Sequence, residues 1–184
     1  MKRPYLLFIV IASFSLILDQ LTKWWAVTNI LPMRQANPFQ FRFEDFVVVK
    51  DYFHFSYAEN PGATFSFLAG VPEWIRLPFF SIIAAVASLG ICYYYTTVKG
   101  RKLATRIALP LLWAGAVGNM VDRLRYTYVV DFIDWHIKND YTWPTFNIAD
   151  VSIVVGILLF FFWGQTDEDD LKKANKDKPA AATA

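Results

Sequence analysis

The sequence predicts an integral membrane α-helical protein, with four transmembrane helices and a small exported β-sheet cradle between helices one and two. Three observations carry this reading. Of the 184 residues, 55% are hydrophobic and 18% aromatic. Mean hydropathy is +0.30, too apolar for an ordinary soluble domain. Long stretches lack charge altogether, and Lys and Arg gather in the short flanks of those stretches, which is the distribution that orients a multi-pass chain.

A spanning helix needs about 20 mostly apolar residues. Pro4 to Val27 supplies the first, interrupted by Asp19 and Lys23, and Leu77 to Val98 supplies the second without any charge. Leu103 to Val121 carries only Arg106 near one end, and Phe146 to Thr166 only Asp150 near its start. The opening Lys2-Arg3 and its apolar run also fit a secretory signal. Asp19 and Lys23 stand where a small-residue cleavage site belongs, however, and Trp24, Trp25 and Ala26 prolong the run. The first helix is therefore read as retained.

Orientation follows from basic residues: Lys2 and Arg3, then Lys99, Arg101, Lys102 and Arg106, then Lys172, Lys173, Lys176 and Lys178. They place both termini and the connection between helices two and three in the cytoplasm. Thr28 to Trp74 and Asp122 to Thr145 are then exported, with Trp74, Trp135 and Trp143 suited to an interfacial belt. Phe46 to Val49 and Tyr52 to Tyr57 are β-prone, and Asn60-Pro61-Gly62 has turn chemistry. The sheet is expected within about residues 38–70, on the membrane surface. Residues 1–166 thus form one transmembrane domain, and 167–184 a disordered cytoplasmic tail rich in Asp, Lys and Ala. No internal repeat is present.

Several chemistries are poorly supplied. A formal charge of +2 is too small for a nucleic-acid surface. The single Cys92 permits no intrachain disulfide or CxxC metal knuckle and reads as a buried small apolar residue. His54 and His136 belong to no HExxH pair, so no metal site is expected, and His54 reads as a strand-face side chain. A Ser-His triad would need His54 or His136 beside a serine, yet Ser152, the serine nearest Asp150, lies one turn into a buried helix. No cofactor is implied.

An ionisable side chain within a membrane costs roughly 2.5 to 3.5 kcal/mol on insertion scales, so each needs a partner or a function. Asp19 and Lys23, spaced i, i+4, share a helix face and can pair. Asn119, Asp122 and Arg123 share another face near the end of helix three, where Gly118 would admit a close neighbour. Their structural alternative is an interfacial salt bridge of Arg123 with Asp122 or Asp19. Asn147 followed by Asp150 resembles a capping box, which by itself accounts for Asp150. Asp131, flanked by Val129, Val130 and Phe132 on the same exported side, offers it a second carboxylate. Two close carboxylates hold one shared proton, so one can activate water while the other polarises a peptide carbonyl and protonates the leaving amine. A noncatalytic scaffold and a proton-coupled transporter are the competing classes; four helices without a repeat make a poor alternating-access frame.

The ordered motifs Asp19-Gln20-Leu21-Thr22-Lys23, Asn60-Pro61-Gly62-Ala63-Thr64-Phe65, Gly118-Asn119-Met120-Val121-Asp122-Arg123, Val130-Asp131-Phe132 and Phe146-Asn147-Ile148-Ala149-Asp150 resemble bacterial lipoprotein signal peptidase, or signal peptidase II. The resemblance covers most of the chain, leaving out the first few residues and the tail after Gln165, with no departure at a motif position. It implies an aspartic endopeptidase of the bacterial cytoplasmic membrane, acting at its outer face. Asp131 and Asp150 are then the catalytic pair. Asn60, Asn119, Arg123 and Asn147 line the substrate cleft, while Asp19, Lys23, Gly62 and Asp122 support it. The implied partners are diacylglyceryl-modified prolipoproteins, membrane lipid and globomycin-type inhibitors, with the protein acting as a monomer.

Overall fold

The computed structural model describes residues 4–36, 46–62, 70–97, 103–138 and 141–164. The expected disordered tail, the basic cluster Lys99, Arg101 and Lys102, and Ala63 to Phe65 of the second motif lie outside the described residues.

Among the described residues, four helices and four strands follow one another in the order α1 (Pro4–Ala36), β1 (Phe46–Val49), β2 (Phe53–Asn60), α2 (Glu73–Thr97), α3 (Leu103–Tyr126), β3 (Val129–Ile137), β4 (Tyr141–Thr142) and α4 (Ile148–Leu159). A π-helical segment, Phe160–Gly164, prolongs α4. The packing is inverted relative to a water-soluble bundle. Ile9, Phe14 and Leu21 of α1 point outward with Ile82, Val86 and Leu89 of α2, whereas Ser15, Asp19, Lys23, Asp122 and Ser152 are buried. Apolar surface facing outward and ionisable groups facing inward are what a hydrocarbon solvent selects. Cys92, expected to be buried, is half-buried, because α2 turns most of its apolar surface outward.

Two helices, Tyr5–Leu31 and Glu73–Thr97, are long and apolar enough by themselves to cross a membrane. The other two expected spans differ in physical character. Among the described residues, α3 packs against α1, α2 and α4, so it buries Thr105, Ala108, Ala114, Gly115, Gly118 and Asp122 instead of presenting a uniformly apolar surface. Small residues let the backbones close up. A Cβ on Gly115 would meet the Ala149 carbonyl and the Ile153 side chain, and one on Gly156 of α4 would lie 2.8 Å from Leu112 Cγ.

The sheet is antiparallel, in the order β1-β2-β3-β4. It is wider than expected from the sequence: β3 and β4 come from the connection between α3 and α4, so both exported segments build one sheet. The first helix also runs beyond Val27, and Ala26 and Ile30 form a buried cluster with Tyr57, Val130 and Phe132. This contact roots the sheet on the bundle.

A bulge in β2 sets which side chains reach the site. Phe55 pairs with Ile133, but Ala58 pairs with Asp131, so β2 spends three residues where β3 spends two. Burial along Phe53–Asn60 alternates, breaks at the adjacent buried residues Ser56 and Tyr57, and resumes. Because side chains alternate faces with period two, the extra residue brings Asn60 to the face of Phe53 and Phe55. That is also the face of Asp131.

Candidate active site

Asp131 lies in β3, completely enclosed, while Asp150 occupies the third position of α4 and is half-buried. Among the described residues, each of the four carboxylate oxygens accepts a hydrogen bond. Asn147 Nδ2 donates to Asp131 Oδ1 at 2.7 Å, and Asn60 Nδ2 donates to Asp131 Oδ2 at 3.0 Å. Asn119 Nδ2 donates to Asp150 Oδ1 at 2.9 Å, and the Asn147 backbone N–H donates to Asp150 Oδ2 at 3.2 Å. Asn147 therefore touches both carboxylates.

Each asparagine is held from its carbonyl side, two by backbone N–H groups and one by an ammonium. Asn60 Oδ1 accepts from the Gly62 N–H in an Asx turn, 3.1 Å. Asn119 Oδ1 accepts from Lys23 Nζ at 2.9 Å. Asn147 Oδ1 accepts from the Asp150 N–H at 3.0 Å, which together with the return bond from Asp150 completes the expected capping box. The cap thus orients Asn147 rather than competing with a role for Asp150. Turn, ion pair and helix start all aim an amide N–H at an aspartate.

The electrostatics differ between the two acids. Burial first, and then the neighbouring Asp150 charge, push the Asp131 carboxyl up to about 7 against the lowering effect of the Asn60 and Asn147 hydrogen bonds and of Lys23. Desolvation disfavours the ionised form. Asp131 is accordingly the better proton holder near neutral pH, facing a more exposed neighbour that water can reach.

Lys23 is buried and lies 3.0 Å from Asp19 Oδ2 and 2.9 Å from Asp122 Oδ2. The Asp19–Lys23 contact is the i, i+4 pair expected from the sequence, whereas the structural alternative, a salt bridge of Arg123 with Asp122 or Asp19, is not found among the described residues. Neighbours in a helix point about 100° apart, so i, i+1 residues do not face each other. Arg123 instead donates from Nη2 to the Gly62 carbonyl at 2.9 Å and from Nη1 to the Asn119 carbonyl at 3.1 Å, with its guanidinium 4.8 Å from the Phe80 ring centre. It ties α3 to the Asn60 turn. Gly118 is required by the same cluster, since a Cβ there would lie 2.6 Å from Asp19 Oδ2.

Asp19, Lys23, Asn60, Gly62, Asn119, Asp122, Arg123 and Asn147 are all joined by hydrogen bonds or ion pairs into one cluster around Asp131 and Asp150. Two contributors were not singled out from the sequence. Gln20 Nε2 bridges Asp19 Oδ2 and Asp122 Oδ1 at 3.1 and 3.2 Å, and its signal in the sequence was its place in the Asp19 to Lys23 motif. The Ala149 N–H donates to Asp19 Oδ1 at 2.8 Å, a backbone contact with no side-chain signature. His54 and His136 sit edge to face, 4.4 Å between ring centres, and by the strand register belong to the sheet face opposite Asp131.

The family profile described as Signal peptidase (SPase) II matches residues 11–164. The chain belongs to the signal peptidase II family. Among its relatives is the lipoprotein signal peptidase of Syntrophus aciditrophicus (strain SB), 39% identical over 158 residues, which span 86% of this chain and 91% of that one. The lipoprotein signal peptidase of Polynucleobacter necessarius subsp. necessarius (strain STIR1) is 41% identical over 158 residues, 86% of this chain and 88% of that one. A solved bacterial membrane enzyme superposes with a TM-score of 0.65 at 30% identity, covering 95% of this chain and 93% of that one. Membership of the signal peptidase II family makes this membrane protein an aspartic peptidase, and the matched residues contain every side chain of the cluster.

Proposed function

We propose that this protein removes the signal peptide from diacylglyceryl-modified prolipoproteins at the outer face of the cytoplasmic membrane, with Asp131 and Asp150 as its catalytic pair. The observation that carries the reading is the convergence of four amide donors on two carboxylates, through an Asn147 that contacts both.

In the proposed reaction Asp150 takes a proton from a water, whose oxygen attacks the scissile carbonyl carbon. Asp131 enters protonated and gives its proton to the carbonyl oxygen, so charge does not accumulate there. On collapse of the tetrahedral species Asp150 passes the water's proton to the amine of the lipidated cysteine as the C–N bond breaks, Asp131 recovers a proton from a hydroxyl of the tetrahedral carbon, and the signal peptide departs as a carboxylic acid that ionises in water. Asn60, Asn119, Asn147 and Arg123 line the cleft. The four helices each cross the bilayer with both termini cytoplasmic, residues 167–184 form the tail, and the sheet lies at the outer interface. The protein works as a monomer among membrane lipids and binds globomycin-type cyclic peptides.

Incubation of the purified protein with diacylglyceryl-modified and unmodified precursors, with and without globomycin, tests this. Cleavage of the modified precursor alone, blocked by globomycin and lost in Asp131→Asn and in Asp150→Asn, is the expected result. Full turnover by both variants would refute it.

A further inference from the structure

We propose that Lys23 is a positioning residue that fixes which way the Asn119 carboxamide faces, and through it supplies Asp150 with its hydrogen-bond donor. The inference rests on the reading of Asp131 and Asp150 as the catalytic pair. A carboxamide has nearly the same shape after a half-turn that exchanges its oxygen and its NH2 group, yet the two ends are opposite in hydrogen-bonding sense. Packing alone therefore cannot choose between them.

The neighbours of Asn119 do choose. Its Oδ1 receives Lys23 Nζ at 2.9 Å and Asn147 Nδ2 at 3.2 Å, while its Nδ2 reaches Asp150 Oδ1 at 2.9 Å. In the reversed orientation the NH2 group would face an ammonium and a second NH2 group, and the oxygen would face a carboxylate. Three attractive contacts would become repulsive ones. Lys23 provides the charged one among the two groups that hold the oxygen side.

Lys23 has no freedom to deliver this bond elsewhere. Its ammonium carries three N–H groups, and three acceptors meet them: Asp19 Oδ2 at 3.0 Å, Asp122 Oδ2 at 2.9 Å and Asn119 Oδ1 at 2.9 Å. Each flanking carboxylate is itself fixed. Asp19 Oδ1 accepts the Ala149 N–H at 2.8 Å, and Asp122 Oδ2 accepts the Val130 N–H at 3.1 Å. Ala149 and Val130 are the immediate chain neighbours of Asp150 and Asp131. The ammonium is thus referenced to the backbones that carry the two acids.

A double-mutant cycle separates this role from simple support of the fold. Turnover of a lipidated precursor and thermal unfolding in detergent are measured for Lys23→Met, Asn119→Ala and the double variant. Lys23→Met should lower kcat by about 10- to 100-fold with KM little changed, as loss of an outer-shell orienting group does. In the Asn119→Ala background it should cost nothing more in kcat, although its loss of Tm persists there. Independent losses of kcat that multiply, or an unchanged kcat in Lys23→Met, would overturn the proposal. Where Lys23→Met fails to fold, Asp19→Asn/Lys23→Met replaces it in the same cycle, because Asn at that position keeps an acceptor for the Ala149 N–H. Failure of the catalytic reading is seen separately, as retained turnover in Asp131→Asn and Asp150→Asn.

Discussion

Asn147 holds Asp131 with one end of its carboxamide and caps α4 with the other: Nδ2 lies 2.7 Å from Asp131 Oδ1, and Oδ1 accepts the Asp150 N–H at 3.0 Å. The two duties can be separated. Serine is an equally good cap but has no amide to extend to Asp131. Asn147→Ser should keep its unfolding temperature within a few degrees of wild type while kcat falls about 10- to 100-fold. Asn147→Ala should lose the cap as well, at a further cost of about 1 kcal/mol in stability. Thermal melts and precursor cleavage on the same preparations check both, and full activity in Asn147→Ser would contradict the arrangement.

The protonated state of Asp131 should appear in the pH profile. With that carboxyl pushed up to about 7, kcat/KM should decline on the alkaline side around that pH, an apparent value belonging to the pair. Asn60 stabilises the ionised form by donating to Asp131 Oδ2. Removing the donor in Asn60→Ala should therefore move the alkaline limb to higher pH. A limb that moves to lower pH in this variant would exclude Asp131 as the proton holder.

Stability should follow the same group in a defined direction. The folded protein binds a proton at Asp131 up to about pH 7, whereas the unfolded chain loses it near the ordinary aspartate value of about 3.9. Between those limits the folded state carries more protons, so this group makes stability fall as pH rises, by at most about 1.4 kcal/mol per pH unit. Asp131→Asn lacks the titration. The difference in Tm between variant and wild type should therefore grow in the variant's favour from pH 5 to pH 7 and level off above. Melts across that range measure it, and a difference independent of pH would be the contrary result.

Close approach at the helix contacts predicts a graded glycine series. In Gly118→Ala the new methyl meets Asp19 Oδ2, itself fixed by Lys23, and in Gly115→Ala it meets the Ala149 carbonyl and Ile153. Each should destabilise by about 1 to 3 kcal/mol, the usual cost of overpacking. Gly90 has nothing within 4 Å of its Cβ position, so Gly90→Ala should change stability by less than about 1 kcal/mol. Detergent melts rank the three, and a Gly90 variant as damaged as the other two would contradict the packing.

Much of this architecture is legible in the sequence because lipid makes hydropathy a strong signal. The charge-free run from Leu77 to Val98 coincides closely with α2. Less visible is α3, whose inward side is built from small and polar residues. Strand β3 is hidden for a related reason. Its buried alternate positions include Asp134 and His136 beside Val130 and Phe132, so the apolar alternation that marks a half-buried strand is broken by polar residues. In the site, the candidate side chains and the two links within single helices, Asp19 with Lys23 and Asn147 with Asp150, could be named from the sequence, but the connections between elements could not. The choice of Lys23 over Arg123 as partner to Asp122 depends on how α1 meets α3. The orientation of Asn60 depends on a one-residue irregularity with no composition of its own.

That irregularity makes β2 a strand that counts. Between Phe55 and Asn60, substitutions change what a side chain offers, but an insertion or deletion of one residue changes the face on which everything beyond it emerges. The segment should therefore tolerate many changes of identity and almost none of length. In a single-residue deletion of Ser56 or Tyr57 the asparagine amide would leave Asp131, while the strand could go on pairing with β3.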